Sequence, residues 1–133
     1  MTLCGFNEDL IYSLGGENKE NLILDLIEKY DLKRNIWSIL DVKLPVKVEC
    51  VACFQSNDCC LLIFGGYTLK HGLIDDIFEL NLPKDKITAV KGAKLVNCGY
   101  SVHNIIFSSV NIANIFLGGE EDTPPIHFTY KYN

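Results

Sequence analysis

Four cysteines lie close together in the chain, where zinc binding or thiol chemistry would first be sought. Cys50 and Cys53 form a CxxC pair, and Cys59 and Cys60 follow it. A CxxC pair followed by further cysteines is a frequent zinc-binding pattern, because thiolates bind Zn²⁺ in a tetrahedral arrangement. If the segments that carry them are strands, the members of each pair point to opposite faces of the sheet, and four thiolates cannot converge on one ion. We therefore expect reduced thiols that pack as small hydrophobic side chains, with no metal and no cofactor.

The groups suited to acid–base catalysis are dispersed. His71, His103 and His127 are far apart in the chain, and nothing around the acidic stretches at 75–76 and 120–122 indicates burial that would shift a carboxyl pKa. The sequence also contains no GxxxxGK, GxSxG or HExxH motif. It thus predicts that the protein is not an enzyme.

Composition and charge restrict the partners. The 133 residues are 48% hydrophobic, which is enough for the core of one domain, and the formal net charge is -5. Nucleic-acid binding needs a concentrated basic surface, so we do not expect it. The first residues lack the basic and apolar regions of a secretory signal, and the apolar run at 59–64 is far shorter than a membrane span. We expect a soluble cytoplasmic protein that binds neither nucleic acid nor membranes.

The chain contains a repeat of about fifty residues, marked by apolar strands that end in two glycines. The three copies are IYSLGG at 11–16, LLIFGG at 61–66 and NIFLGG at 114–119. Their glycines are Gly15, Gly16, Gly65, Gly66, Gly118 and Gly119. Glycine at a strand end permits a positive φ and close approach of another backbone, so a nearly constant period of such pairs indicates repeated structural units.

The match continues beyond the glycines. Tyr30 and Leu80 follow their glycine pairs at the same distance, and Trp37 and Ile87 come seven residues later. This pattern resembles the kelch repeat, in which a strand ending in two glycines is followed by a spaced Tyr and Trp. Blade two departs from it at Leu80 and Ile87. The resemblance covers nearly the whole chain and implies that Tyr30 and Trp37 are packing residues between blades.

The resemblance implies an all-β fold, a partial kelch-type β-propeller of antiparallel four-stranded blades in an incomplete ring. Blade one would span about 1–45, blade two about 46–95 and a truncated blade three about 100–133. The strands expected in blade two are Val48 to Phe54, Cys60 to Phe64, Asp76 to Leu82 and Lys86 to Val90. Residues 21–37 also show a helical spacing of apolar residues, but Pro83 in the aligned copy would interrupt a helix. We therefore favour strands there.

Two and a half blades cannot close a ring, since closed propellers have four or more blades. We expect further blades from the same longer chain or from another subunit to cover the faces at the two ends of the array.

The loops at one end of the blades are the candidate partner-binding surface, because loops on a rigid scaffold often carry function. The residues expected there are Glu17, Asn18, Lys19, Glu20, Tyr67, Lys70, His71, Glu120, Glu121 and Asp122. The resemblance implies a non-enzymatic protein–protein interaction module that binds a protein partner through these loops. The alternatives are a structural subunit or fragment of a larger assembly and a galactose-oxidase-like metalloenzyme fragment.

Overall fold

The computed structural model describes residues 2–92, 100–109, 112–118 and 126–131, and within them the chain forms strands, turns and no helix. The first four strands are β1 (Thr2–Phe6), β2 (Leu10–Leu14), β3 (Ile27–Asp31) and β4 (Ile36–Ile39). Next come β5 (Ala52–Asn57), β6 (Cys60–Phe64), β7 (Tyr67–Thr68), β8 (Gly72–Leu73), β9 (Ile77–Asn81) and β10 (Lys86–Ala89). The last are β11 (Tyr100–Ser109), β12 (Ile112–Gly118) and β13 (Ile126–Lys131).

The main strands form consecutive antiparallel sheets. Blade one is the four-stranded sheet β1-β2-β3-β4, and blade two is the four-stranded sheet β5-β6-β9-β10. A third sheet contains β11-β12-β13, and β7 pairs with β8 in a short hairpin. The segment at 21–37 carries β3 and the first half of β4, so the strand interpretation is confirmed over the helical one.

The backbone of blade one recurs in blade two with an offset of fifty residues. In blade one, the backbone hydrogen bonds run from Gly15 N to Leu26 O, from Leu24 N to Gly16 O and from Leu40 N to Ile27 O. The matching bonds of blade two run from Gly65 N to Asp76 O, from Ile74 N to Gly66 O and from Val90 N to Ile77 O. The tight turns match as well, because Asn35 and Asp85 both adopt a left-handed φ, of 56° and 50°. The sequence repeat is therefore a repeat of backbone conformation.

The glycine pairs hold the linker between the blades. Gly15 and Gly66 have φ values of 54° and 104°, in the region that favours glycine. A Cβ on Gly15 would lie 2.2 Å from the Val48 carbonyl oxygen, and one on Gly66 would lie 2.6 Å from Val48 Cγ2 and 2.7 Å from the Glu49 carbonyl oxygen. Both blades thus approach the same stretch of linker, as close approach at the glycines predicts. Gly118 ends β12, and Gly119 lies outside the described residues.

The main core lies between the two blades. Blade one contributes one face of its sheet, including Phe6, Tyr12 and Leu14, and blade two contributes the facing side, including Leu61 and Leu80. The linker adds Leu44, Val48 and Val51 to the same cluster. Most of these side chains are almost completely buried, so their removal from water is the main stabilising contribution to the packing of one blade on the next.

Two expectations are corrected. Trp37, expected to pack in the core, is 51% exposed and contacts Tyr30 with ring centroids 4.9 Å apart. The reason is that both rings lie on the face of blade one opposite to blade two, where no described residue of a neighbouring blade covers them. The inner strand of blade two begins at Ala52 rather than Val48, because Cys50 takes a φ of 55° that interrupts an extended backbone.

Candidate functional site

The loop between β2 and β3 carries the first group of expected binding residues. Glu17 forms an isolated bridge with Ile23. The Asn18 side-chain oxygen accepts hydrogen bonds from the backbone N–H groups of Glu20 and Leu22, at 2.9 and 3.0 Å. An asparagine that binds its own loop in this way stiffens the turn, so Asn18 has a structural role and Glu17, Lys19 and Glu20 are presented to solvent around it.

The β7–β8 hairpin carries the second group. Thr68 is buried, and its hydroxyl accepts a hydrogen bond from the His71 backbone N–H at 3.0 Å and lies 3.3 Å from the Gly72 carbonyl oxygen. These bonds close the hairpin and expose its tip, where Leu69 is 73% exposed. Tyr67 lies at the base, where its backbone exchanges two hydrogen bonds with Glu49 of the linker.

A cleft of about 320 Å³ lies between these two loops and the linker. Its lining residues are Ile23, Val46, Lys47, Thr68, Leu69, Lys70 and His71. Lys70 and His71, from the expected set, are therefore brought together with Ile23, which is bridged to Glu17. Glu17, Asn18, Lys19 and Glu20 lie beside the cleft and do not line it, and Glu120, Glu121 and Asp122 lie outside the described residues.

The cleft combines an apolar floor with cationic groups. Ile23, Val46 and Leu69 supply apolar surface, while Lys47 and Lys70 supply positive charge. The ion pairs found in the described residues are Lys33 with Asp9, Arg34 with Asp31 and Lys43 with Asp25, so neither cleft lysine is neutralised by one of them. Lys47 and Lys70 thus place two positive charges on the cleft lining in a chain whose net charge is -5, while Glu17 and Glu20 lie beside the cleft.

No family model and no curated protein matches the chain. Among solved structures it is similar to that of YjhT, a structure of the β-propeller type, with a TM-score of 0.65 and 12% sequence identity over 94% of this chain. The fold is a partial β-propeller. The chain spans 49% of the length of YjhT, and at this identity the likeness shows the fold alone.

The residues that sequence reasoning missed in this part of the propeller are Ile23, Val46, Lys47, Thr68 and Leu69. Val46 and Lys47 lie in the linker that leads from the outer strand of blade one to the inner strand of blade two. Their position could have been predicted from the topology, because a linker between blades must pass the end of the sheet at which the second strand of each blade finishes. Leu69 had a local signal, because an apolar residue between Thr68 and Lys70 in a short turn is exposed.

A second cavity, of about 490 Å³, lies between the inner strands of the two blades. Cys4 and Cys53 both line it, together with Leu3, Gly5 and residues 54–58. Burial and the neighbouring Glu79 raise the pKa of the Cys60 thiol, and burial raises that of Cys50. Cys53 lines this cavity, Cys59 is exposed and Cys60 is buried, so the four cysteines do not converge on one point.

The remaining candidate groups stand apart from one another. His71 and His127 are exposed, and His127 Nε2 lies 3.3 Å from Asn114 Oδ1. Across residues 2–92 and the described strands beyond them, no three His, Cys, Asp or Glu residues are placed to hold a metal ion. The same residues include no helix with the length and hydrophobicity to cross a membrane.

Proposed function

We propose that the chain is a non-enzymatic protein–protein interaction module of the kelch-propeller type, acting in the cytoplasm, which binds its partner at the loop end of blades one and two. The observation that carries this proposal is the cleft formed by Ile23, Val46, Lys47 and the β7–β8 hairpin. It gathers side chains from two blades and their linker, and such a composite loop surface on a rigid sheet scaffold is suited to recognising another protein.

The chemistry of the cleft fits a protein surface. Cores of protein interfaces are apolar and their margins are polar. Leu69 exposes a large apolar side chain at the margin of a cleft whose floor includes Ile23 and Val46. Lys47 and Lys70 flank it, so the partner surface that fits best has an apolar side chain next to acidic residues.

The neighbouring loop residues extend this surface. Glu17, Lys19 and Glu20 lie beside the cleft on a loop that Asn18 holds in shape. We include Glu120, Glu121 and Asp122 in the proposal on the basis of the sequence repeat. The polar rim would then set which partner is accepted, while the cleft supplies most of the binding energy.

Site-specific photo-cross-linking tests the proposal. A photoreactive residue at position 69 is compared with one at Arg34, an exposed position in the β3–β4 turn at the opposite end of blade one. The expected result is one protein adduct formed from position 69 and absent from position 34. The binding constant of that purified partner should then weaken several-fold with Lys70→Glu and stay unchanged with Lys86→Glu on the outer strand. Equal labelling from both positions, or equal effects of both charge reversals, would contradict the proposal.

A second candidate, a structural role in a larger assembly, is favoured by the uncovered face of blade one. Leu3, Trp37 and Ile39 on this face are 56%, 51% and 62% exposed. In blade two the same face is covered by blade one. We propose that a further propeller blade, from the same longer chain or from another subunit, covers the Tyr30 and Trp37 face.

Sedimentation velocity tests this second proposal. The chain should associate as its concentration rises, and Trp37→Glu should reduce that association because a charge on the face opposes its burial. Glu in place of exposed Arg34 is the control for the added charge. A chain that stays monomeric at all concentrations and unfolds cooperatively would contradict the proposal.

A further inference from the structure

Two thiols face each other across the junction between the blades. Cys4 lies on β1, on the face of blade one that packs against blade two, and Cys53 lies on β5, on the facing side of blade two. Both are free thiols, and both line the cavity between the inner strands. This pair joins segments that are distant in the chain.

The inner strands are held in register on both sides of the pair. The Thr2 hydroxyl donates a hydrogen bond of 2.7 Å to the Val51 carbonyl oxygen. At the other end, Asn7 and Gln55 exchange two hydrogen bonds, from the Asn7 backbone N–H to Gln55 Oε1 at 2.9 Å and from Gln55 Nε2 to Asn7 Oδ1 at 3.0 Å. Since contacts before and after the thiols fix the two strands, Cys4 and Cys53 stay adjacent.

A small reagent can reach the pair. The cavity of about 490 Å³ that both cysteines line is open to solvent. Gly5 lines it too, and no heavy atom lies within 4 Å of where a Cβ of Gly5 would be. The open cavity therefore borders the strand that carries Cys4.

The two thiols differ in acidity. The Cys53 thiol stabilises the thiolate of Cys4 and lowers the Cys4 pKa, while the same interaction, with burial, raises the pKa of Cys53. The thiolate is the nucleophile in thiol–disulfide exchange, so Cys4 is the attacking residue and Cys53 is the resolving residue.

We propose that Cys4 and Cys53 are a redox modification site, at which a low-molecular-weight disulfide such as glutathione disulfide reversibly joins blade one to blade two. The Cys4 thiolate attacks one sulfur of the glutathione disulfide, forms a mixed disulfide and releases one glutathione thiolate. Cys53 then loses its proton and attacks the Cys4 sulfur, which forms the Cys4–Cys53 bond and releases the second glutathione. Two protein thiols are oxidised, one disulfide is reduced, and the two protons pass to the released glutathiones.

The bond would close the chain between the inner strands of the two blades. A cross-link over a long loop restricts the unfolded chain and stabilises the folded one. Oxidation would therefore strengthen the junction on which the loop surface rests. This inference does not depend on the proposed partner-binding function.

Peptide mapping of the native chain tests the inference. The chain is equilibrated with glutathione disulfide, its remaining thiols are alkylated, and it is cleaved after Glu and Asp, which separates Cys50 and Cys53 from Cys59 and Cys60. The expected product links the Cys4 peptide to the 50–58 peptide. It should persist in Cys50→Ser, raise Tm by several degrees and be reversed by a reductant.

The variants separate this pair from other thiols. Cys53→Ala should stop the reaction at the mixed disulfide of Cys4 with glutathione, whereas Cys59→Ser should leave the cross-link intact. Loss of the link in Cys50→Ser would overturn the inference. Alkylation of Cys4 and Cys53 under conditions in which exposed Cys59 is fully glutathionylated would also overturn it, and this second readout needs no variant to fold.

Discussion

The same face of the repeated sheet meets opposite surroundings in the two blades. In blade two it carries Leu61 and Leu80, both completely buried against blade one. In blade one the residues fifty positions earlier are Ile11 and Tyr30, which are only half-buried. The difference teaches that burial of the large side chains on this face depends on a neighbouring blade and not on the conformation of the strand, whereas the small Ser13 is buried without one.

The backbone excludes a local cause for this difference. The hydrogen bonds around the glycine pairs repeat with an offset of fifty residues, and so does the pairing of Tyr30 with Trp37 and of Leu80 with Ile87. The side chains have diverged instead. Ser13 and Glu28 of blade one correspond to Ile63 and Phe78 of blade two, so the uncovered face is the more polar one.

The largest expected loss of stability comes from a side chain added against the linker that both blades contact. Gly66→Val places a Cβ against Val48 and Glu49 at a φ of 104°. A left-handed conformation costs about 1–2 kcal/mol for a residue with a Cβ, and overpacking adds about 1–3 kcal/mol, so the free energy of unfolding should fall by about 3 kcal/mol. Gly15→Val should cost a similar amount, because its Cβ would press on the same linker from blade one, against the Val48 carbonyl oxygen at a φ of 54°.

Urea unfolding measures these changes through the midpoint. Gly5→Ala is the control, because a Cβ at Gly5 meets nothing within 4 Å. It should change the unfolding free energy by about 0.5 kcal/mol or less. A loss confined to one of the two valine variants would show that only one blade approaches the linker closely.

The next largest difference in stability is expected between matched positions on the repeated face. Leu80→Ala should lower the free energy of unfolding by about 2–5 kcal/mol, since it leaves a cavity between the blades. Tyr30→Ala should cost about 1 kcal/mol, mainly through loss of its contact with Trp37. Equal losses, measured by urea unfolding of the two variants, would show that something already covers the Tyr30 face in the isolated chain.

The smallest expected effect is a gain in stability. The Ser13 hydroxyl is buried and forms no hydrogen bond with a described residue, whereas the matching position in blade two is Ile63. Ser13→Ala removes an unsatisfied polar group and should raise the free energy of unfolding by about 1 kcal/mol. A clear fall in thermal stability would indicate that this hydroxyl has a partner in solution.

Much of the fold could be predicted from the sequence because its determinants are local. The glycine pairs specify positive φ values at the ends of β2 and β6, and their period locates both blades. The expected β6 bounds agree with the structure, and β9 and β10 differ from expectation only by a residue at their ends. These elements depend on short-range pattern and turn chemistry.

The rest depends on contacts between distant segments. The exposure of Trp37 follows from which blades are present, which the pattern within one repeat does not specify. Val46 and Lys47 reach the cleft because both glycine pairs hold the linker, and the contact of Cys4 with Cys53 arises only when the inner strands pack together. Loop position alone predicted Lys70 and His71, but it could not predict the apolar floor beneath them.

Trp37 is the single tryptophan, so its fluorescence tests the central claim that blade one presents an uncovered copy of the face that is buried in blade two. Acrylamide quenching of the monomeric chain should be strong, because Trp37 is 51% exposed. In a variant that combines Trp37→Phe with Ile87→Trp, the tryptophan occupies the matching position of blade two, and quenching should be markedly weaker. Equal quenching at the two positions would contradict the account.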